Sequence, residues 1–141
     1  NGILVSQKIL LTWMIDDANV LQQIRRVIRS DDFTEPLYRT VAELLYQQMD
    51  EGLVNPAQIM NHFSDEEEHR KVAELFHTKI RELTTREEQE KALNETVRRV
   101  KQNSLDEMAR RLEPTDIAGL QKLMEDKRAL QDAKGLHISI I

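Results

Sequence analysis

The chain contains no cysteine, which excludes disulfides, thiolate metal sites and cysteine nucleophiles. Glycine (4) and proline (3) are scarce, and aromatic residues make up only 4%. A β-sandwich needs more turn residues and more β-branched and aromatic side chains than this. No apolar run approaches the roughly 20 residues of a membrane span. Leu4 to Ile15 comes nearest, but Ser6, Gln7, Lys8 and Thr12 interrupt it, and it lacks the charged start and small-residue cleavage site of a secretory signal. Positive charge is not in excess either. Lys and Arg number 20 against 25 Asp and Glu, for a net charge of −5. That balance argues against unspecific nucleic-acid binding by the whole surface. A cysteine-free chain suits a reducing compartment, so a cytoplasmic protein is expected.

What is present is helical in character. The 141 residues suit one compact domain, or one domain with an appendage. Hydrophobic residues at 40% are enough to bury a core, and charged residues at 32% give it a solvated surface. The chain opens Asn1-Gly2 without an initiating Met, so a fragment of a longer protein is expected.

Helix punctuation is legible throughout. Ile9, Leu10, Trp13 and Met14 have 3–4 spacing and predict a first helix from about Leu4 to Ile15. Asp17 is placed to cap a second helix carrying Val20, Leu21, Ile24, Val27 and Ile28, which Ser30-Asp31-Asp32 breaks. Pro36 opens a third, with Leu37, Val41, Leu44, Leu45 and Met49 on its apolar face and Gly52 at its end. Asn55-Pro56 starts a short helix with Ile59, Met60 and Phe63. Ser64 to Glu67 reads as a capping box before a stripe of Val72, Leu75, Phe76, Ile80 and Leu83. Thr85 to Glu88 is a second capping box, opening a long polar helix with Leu93, Val97, Val100, Leu105, Met108 and Leu112. After Glu113-Pro114-Thr115, a last helix capped by Thr115 or Asp116 runs to about Lys134 and stops at Gly135, with Ile117, Leu120, Leu123, Met124 and Leu130 apolar.

The expected architecture is all-α: a compact helical bundle over 1–83, then a long helix and antiparallel helical hairpin over 84–134, then an apolar tail over 135–141. Residues 1–83 hold nine of the basic and 14 of the acidic residues, while the remainder is neutral. Trp13, all three Phe and both Tyr fall in the first part, so the bundle is expected to fold without the hairpin. In the tail, Leu136, Ile138 and Ile140 alternate with His137 and Ser139, a strand period. It is expected to act as an apolar clip on the hairpin or on a partner.

Catalytic chemistry is hard to find. Two E-x-x-H units occur, Glu66 with His69 and Glu74 with His77, and His62 lies nearby. In di-iron bundles such units sit on different helices. Here both lie on one predicted helix, eight residues apart, so their ligands cannot converge on one metal, and solvent-facing His and Glu is the simpler reading. No phosphate-binding glycine loop or nucleophile elbow occurs, and none of Ser6, Ser30, Ser64, Ser104 and Ser139 has a nucleophile context. No metal or organic cofactor and no turnover are expected. The basic groups Arg25-Arg26, Arg98-Arg99-Lys101, Arg110-Arg111 and Lys127-Arg128 are interleaved with acids, so little or no binding to double-stranded DNA is expected. What remains is an interaction surface. A two-helix appendage exposes apolar positions that cannot all face its seam. Leu120 and Met124 share a face with Ile117, and Leu123 and Leu130 flank it.

Ser6-Gln7-Lys8-Ile9-Leu10-Leu11-Thr12-Trp13-Met14, followed by Phe33, by Glu35 to Leu45, and by the acidic turn Met49-Asp50-Glu51-Gly52, resembles the C-terminal helicase-binding domain of bacterial DNA primase. The long charged helix and hairpin from Leu93 to Lys134 fit the same pattern, so the resemblance covers almost the whole chain through its hydrophobic spacing. The chain departs from the family where a His is expected in the third helix, at Tyr38 or Arg39. The N-terminal domain of the replicative helicase has a similar bundle, but leads into a linker and an ATPase rather than a hairpin. The resemblance implies a non-catalytic domain that docks primase on the hexameric replicative DNA helicase, with the hairpin supplying most of the affinity. Polymerisation of primers and zinc binding would belong to upstream domains of the parent nucleotidyltransferase. The implied partner-binding residues are Met108, Arg111, Leu112, Ile117, Leu120, Leu123, Met124, Lys127 and Leu130. The competing classes are a helical metal-dependent hydrolase or oxidase using the His and Glu residues near 62–77, and a helical scaffold unrelated to replication.

Overall fold

The computed structural model describes residues 2–77, 85–132 and 137–140. Among these the fold is all-α. Its centre is α1 (Gly2–Asp16), which packs against four other helices: α2 (Ala18–Arg25), α3 (Pro36–Asp50), α4 (Glu66–His77) and α5 (Arg86–Arg111). Leu10, Leu11, Trp13 and Met14 are all buried, together with Gln7 and Thr12. A helix apolar around most of its circumference is one surrounded by others. Its polar exceptions are satisfied. Thr12 donates to the Lys8 carbonyl, and the Gln7 amide donates to Thr34 and accepts from the Glu35 N–H, pinning the entry to α3.

Short polar signals separate the helices. The Asp17 carboxylate accepts from the N–H groups of Asn19 and Val20, so one residue ends α1 and caps α2. The second helix stops at Arg25, earlier than its apolar spacing predicts. Ile28 is buried beyond it, and Ser30–Asp32 forms a 3₁₀ turn. Pro36 fits the first turn of α3, and Gly52, at φ 82°, supplies the left-handed turn after it. Pro56–His62 is a 3₁₀ segment rather than an α-helix. At α4 the cap is Asp65, whose carboxylate accepts from the Glu68 N–H at 3.0 Å, rather than Ser64. Val72 and Leu75 are buried as expected, whereas Ile80 and Leu83 lie outside the described residues. Thr85 caps α5 through the Glu88 N–H.

The 26 residues of α5 span about 39 Å at 1.5 Å per residue. They do not simply lead away from the bundle. Leu93, Val97 and Val100 are buried in the same core as Leu10, Met14, Ile24 and Leu45. The division expected at 83/84 is therefore not a division of the core: the first half of α5 completes the bundle. Its second half pairs with α6 (Ile117–Gln131) around a smaller cluster of Leu105, Leu123 and Leu130, on which Val27 and Leu112 also pack. Asp32 ties the two regions together. Its carboxylate is buried and accepts from Ser104 Oγ at 2.7 Å, Lys101 Nζ at 3.0 Å and the Arg29 N–H at 2.7 Å.

The tail does not clip onto the outer hairpin. Ile138 and Ile140 are buried in the main core, while His137 and Ser139 face outward. Leu136 and Gly135 lie outside the described residues.

A candidate docking surface on the hairpin

The hairpin is built by a tight reversal between α5 and α6. Leu112 ends α5, the Asp116 N–H donates to the Glu113 carbonyl, and the Asp116 carboxylate caps α6 through the Gly119 N–H at 2.9 Å. Gly119 fits this closeness with no neighbour displaced. A Cβ there would lie 2.5 Å from the capping carboxylate and 2.7 Å from the Leu112 side chain. Farther along the antiparallel pair, the Arg98 guanidinium donates to the Leu130 carbonyl near the end of α6.

The structure sorts the nine candidate residues into three groups: buried, half-buried and exposed. Leu123 and Leu130 are buried in the seam, facing Leu105, and are not available to a partner. The sequence pattern places them correctly on the helix, but it does not say on which side α5 lies. Leu112 is half-buried at the same seam and Lys127 is half-buried on α6. Ile117 (66% exposed), Leu120 (38%) and Met124 (58%) form one continuous stripe along α6. Their i, i+3, i+7 spacing keeps them within one side of the cylinder. Met108 on α5 is 40% exposed. It lines a groove with Leu112, Arg111, Glu107 and Arg39 between the hairpin and the start of α3. Arg111 is exposed and ion-paired with Glu107, a carboxylate that Arg110 also contacts.

An exposed stripe of this kind has clear chemical capacity. Large aliphatic and Met side chains in water favour burial against another apolar surface, and the unbranched Met adapts to an imperfect one. Arg111 and Glu107, which line the groove with Met108, place paired charges beside it.

The region of the two E-x-x-H units is organised differently. Glu66, His69 and His77 are exposed, and Glu74 pairs with Lys8 at 3.3 Å and Arg70 at 3.6 Å. His62 packs edge-on against Phe63. Among the described residues, no three His, Asp or Glu side chains converge as a metal would need.

Sequence reading missed a second polar constellation, formed by Gln23 on α2 and Glu90 and Asn94 on α5. The Asn94 amide donates to the Ile138 carbonyl at 2.9 Å and accepts from the Ile138 N–H at 2.7 Å. The Gln23 amide does the same for Ser139, both contacts at 2.8 Å. Glu90 accepts from the Ile140 N–H at 2.7 Å and lies 3.4 Å from His137 Nε2. No spacing announces these residues. They are ordinary polar side chains at the edges of apolar stripes, and only the strand-like period of the tail hinted that something must satisfy its backbone.

No family model, curated protein or solved structure matches this chain.

Proposed function

We propose that this chain is the non-catalytic, partner-docking domain of a bacterial DNA primase, holding the primase on the hexameric replicative DNA helicase so that primers are made where the duplex opens. The observation that carries the reading is the stripe of Ile117, Leu120 and Met124, left exposed on a hairpin whose seam is filled by Leu105, Leu123 and Leu130. The resemblance in the hydrophobic spacing of the bundle and hairpin supplies the partner's identity. In this reading the domain holds no cofactor, works in the cytoplasm, and makes little or no contact with nucleic acid. No helix among the described residues is long and apolar enough to cross a membrane.

The test is a pull-down with purified replicative helicase. The chain should retain the helicase, and the Ile117→Asp, Met124→Asp double variant should retain at least tenfold less while melting as the unmodified chain does. No retention by the unmodified chain, or equal retention by the variant, would reject the reading.

A further inference from the structure

The chain has five methionines and no cysteine, so its sulfur atoms are all thioethers. Thioethers are oxidised by peroxides, and exposure governs which react first. The structure separates the five by place. Met14 is fully buried in the main core, and Met49 and Met60 are half-buried against it. Met124, 58% exposed, and Met108, 40% exposed, are the two on the surface, and both belong to the hairpin. Met124 lies one helical turn beyond Leu120 and extends the stripe that begins at Ile117. Met108 lines the groove beside Leu112 and Arg111.

We propose that Met124, with Met108 following, is a reversible oxidation site through which hydrogen peroxide switches the docking surface off. In the step, a lone pair of the Met124 sulfur attacks one peroxide oxygen. An S–O bond forms, the O–O bond breaks, and the departing hydroxide takes the proton of the transferred oxygen and leaves as water. Sulfur loses two electrons and the peroxide gains them. The product sulfoxide is polar where the thioether was flexible and apolar. A partner's apolar surface closing on it must desolvate the new S=O group without a hydrogen bond in return, and that penalty opposes docking. The fold is spared. Leu105, Leu123 and Leu130 hold the seam and carry no sulfur, and Met14 in the core is shielded. A sulfoxide reductase fed by a dithiol reverses the step: the thioether returns, the oxygen leaves as water, and the dithiol becomes a disulfide. The effect on docking rests on the function proposed above, whereas the order of oxidation does not.

The test treats the full chain with hydrogen peroxide, follows each methionine by peptide mass spectrometry, and destroys the peroxide before helicase is added. Met124 should gain one oxygen at least tenfold faster than Met14 and ahead of Met49 and Met60, with Met108 next, while the melting temperature stays unchanged. Chain oxidised only at Met124 and Met108 should retain at least tenfold less helicase than untreated chain. The pair of reductases that act on the two sulfoxide epimers, supplied with dithiothreitol, should restore retention. A Met108→Leu, Met124→Leu variant, whatever its own starting retention, should change less than twofold on the same treatment. Oxidation of Met14, Met49 or Met60 as fast as Met124 would overturn the assignment of the site, independently of any partner. Untreated chain that retains no helicase rejects the docking function and the switch with it. Retention that survives oxidation of Met124 and Met108, or falls equally in the leucine variant, overturns the switch alone.

Discussion

Tyr46 shows how one polar group can organise a loop. Its hydroxyl donates to the Ile28 carbonyl at 2.7 Å in a buried setting, satisfying a backbone group just before the 3₁₀ turn. Burial pushes the phenol's pKa well above its ordinary value, with the charge of Asp32 adding to the shift and that of Arg25 opposing it. The native state therefore holds this proton more tightly than the unfolded state does. Stability from it is fully present at neutral pH and is lost as pH rises above about 10, where an unperturbed phenol ionises. Tyr46→Phe should remove that alkaline loss, measured by denaturant titration across pH, at a cost of about 1 kcal/mol at pH 7 for the lost hydrogen bond. Arg25 lies across the Tyr46 ring at 5.2 Å and pairs with Asp50 at 2.7 Å. The hydrogen bond from Arg25 holds the Asp50 carboxyl below the usual carboxylate range. Asp32 is the more consequential acid. Its three donors come from two separate parts of the chain, so Asp32→Ala strands Lys101, whose side chain is only 13% exposed. A loss of roughly 3 kcal/mol in chemical denaturation is expected, in line with breaking a buried pair by removing one partner. A change under 1 kcal/mol would show that Lys101 finds water instead.

At the scale of elements, the helices were legible because their punctuation is chemical: Asp17, Pro36, Gly52 and Thr85 each act as their residue type requires. The role of α5 was harder to see. Its polar sequence reads as a spacer, yet Leu93, Val97 and Val100, spaced four and three apart, are enough to seat its first half on α1. That Leu123 and Leu130 face the seam was hidden for a related reason. Helical periodicity fixes which residues share a face, but tertiary packing decides which face is covered. Gly119 gives a test of the hairpin turn. Glycine to alanine within an exposed helix ordinarily stabilises by about 1 kcal/mol. Here the added Cβ would collide with the Asp116 cap, so Gly119→Ala should yield no gain. In an Asp116→Ala background, itself destabilised by about 1 kcal/mol, only the close approach to Leu112 remains, so part of that gain should reappear. Equal effects in both backgrounds, from a double-mutant cycle of melting curves, would contradict the packing described.

The whole molecule is a bundle closed by pieces distant in sequence. The partition into an independent bundle, hairpin and tail followed charge and aromatic content, but the core joins Leu10 of α1, Val97 of α5 and Ile138 of the tail. Ending the chain at residue 132 exposes the cleft that Ile138 and Ile140 fill, and should cost about 3 kcal/mol or more, since each large aliphatic side chain contributes roughly 1.5–3 kcal/mol on burial. Ending it at Val100 also strips Lys101 and Ser104 from Asp32, so its melting temperature should fall further still. What the hairpin presents to the outside is the remaining question, and methyl NMR answers it most directly. With Ile, Leu and Met methyls labelled, the N-terminal domain of the replicative helicase is titrated into the full chain. The resonances of Met108, Ile117, Leu120 and Met124 should shift or broaden, while those of Leu123 and Leu130 in the seam and of Ile24 and Ile28 in the core change far less. No perturbation at saturating helicase domain, or perturbation confined to residues outside the hairpin, would contradict the docking role.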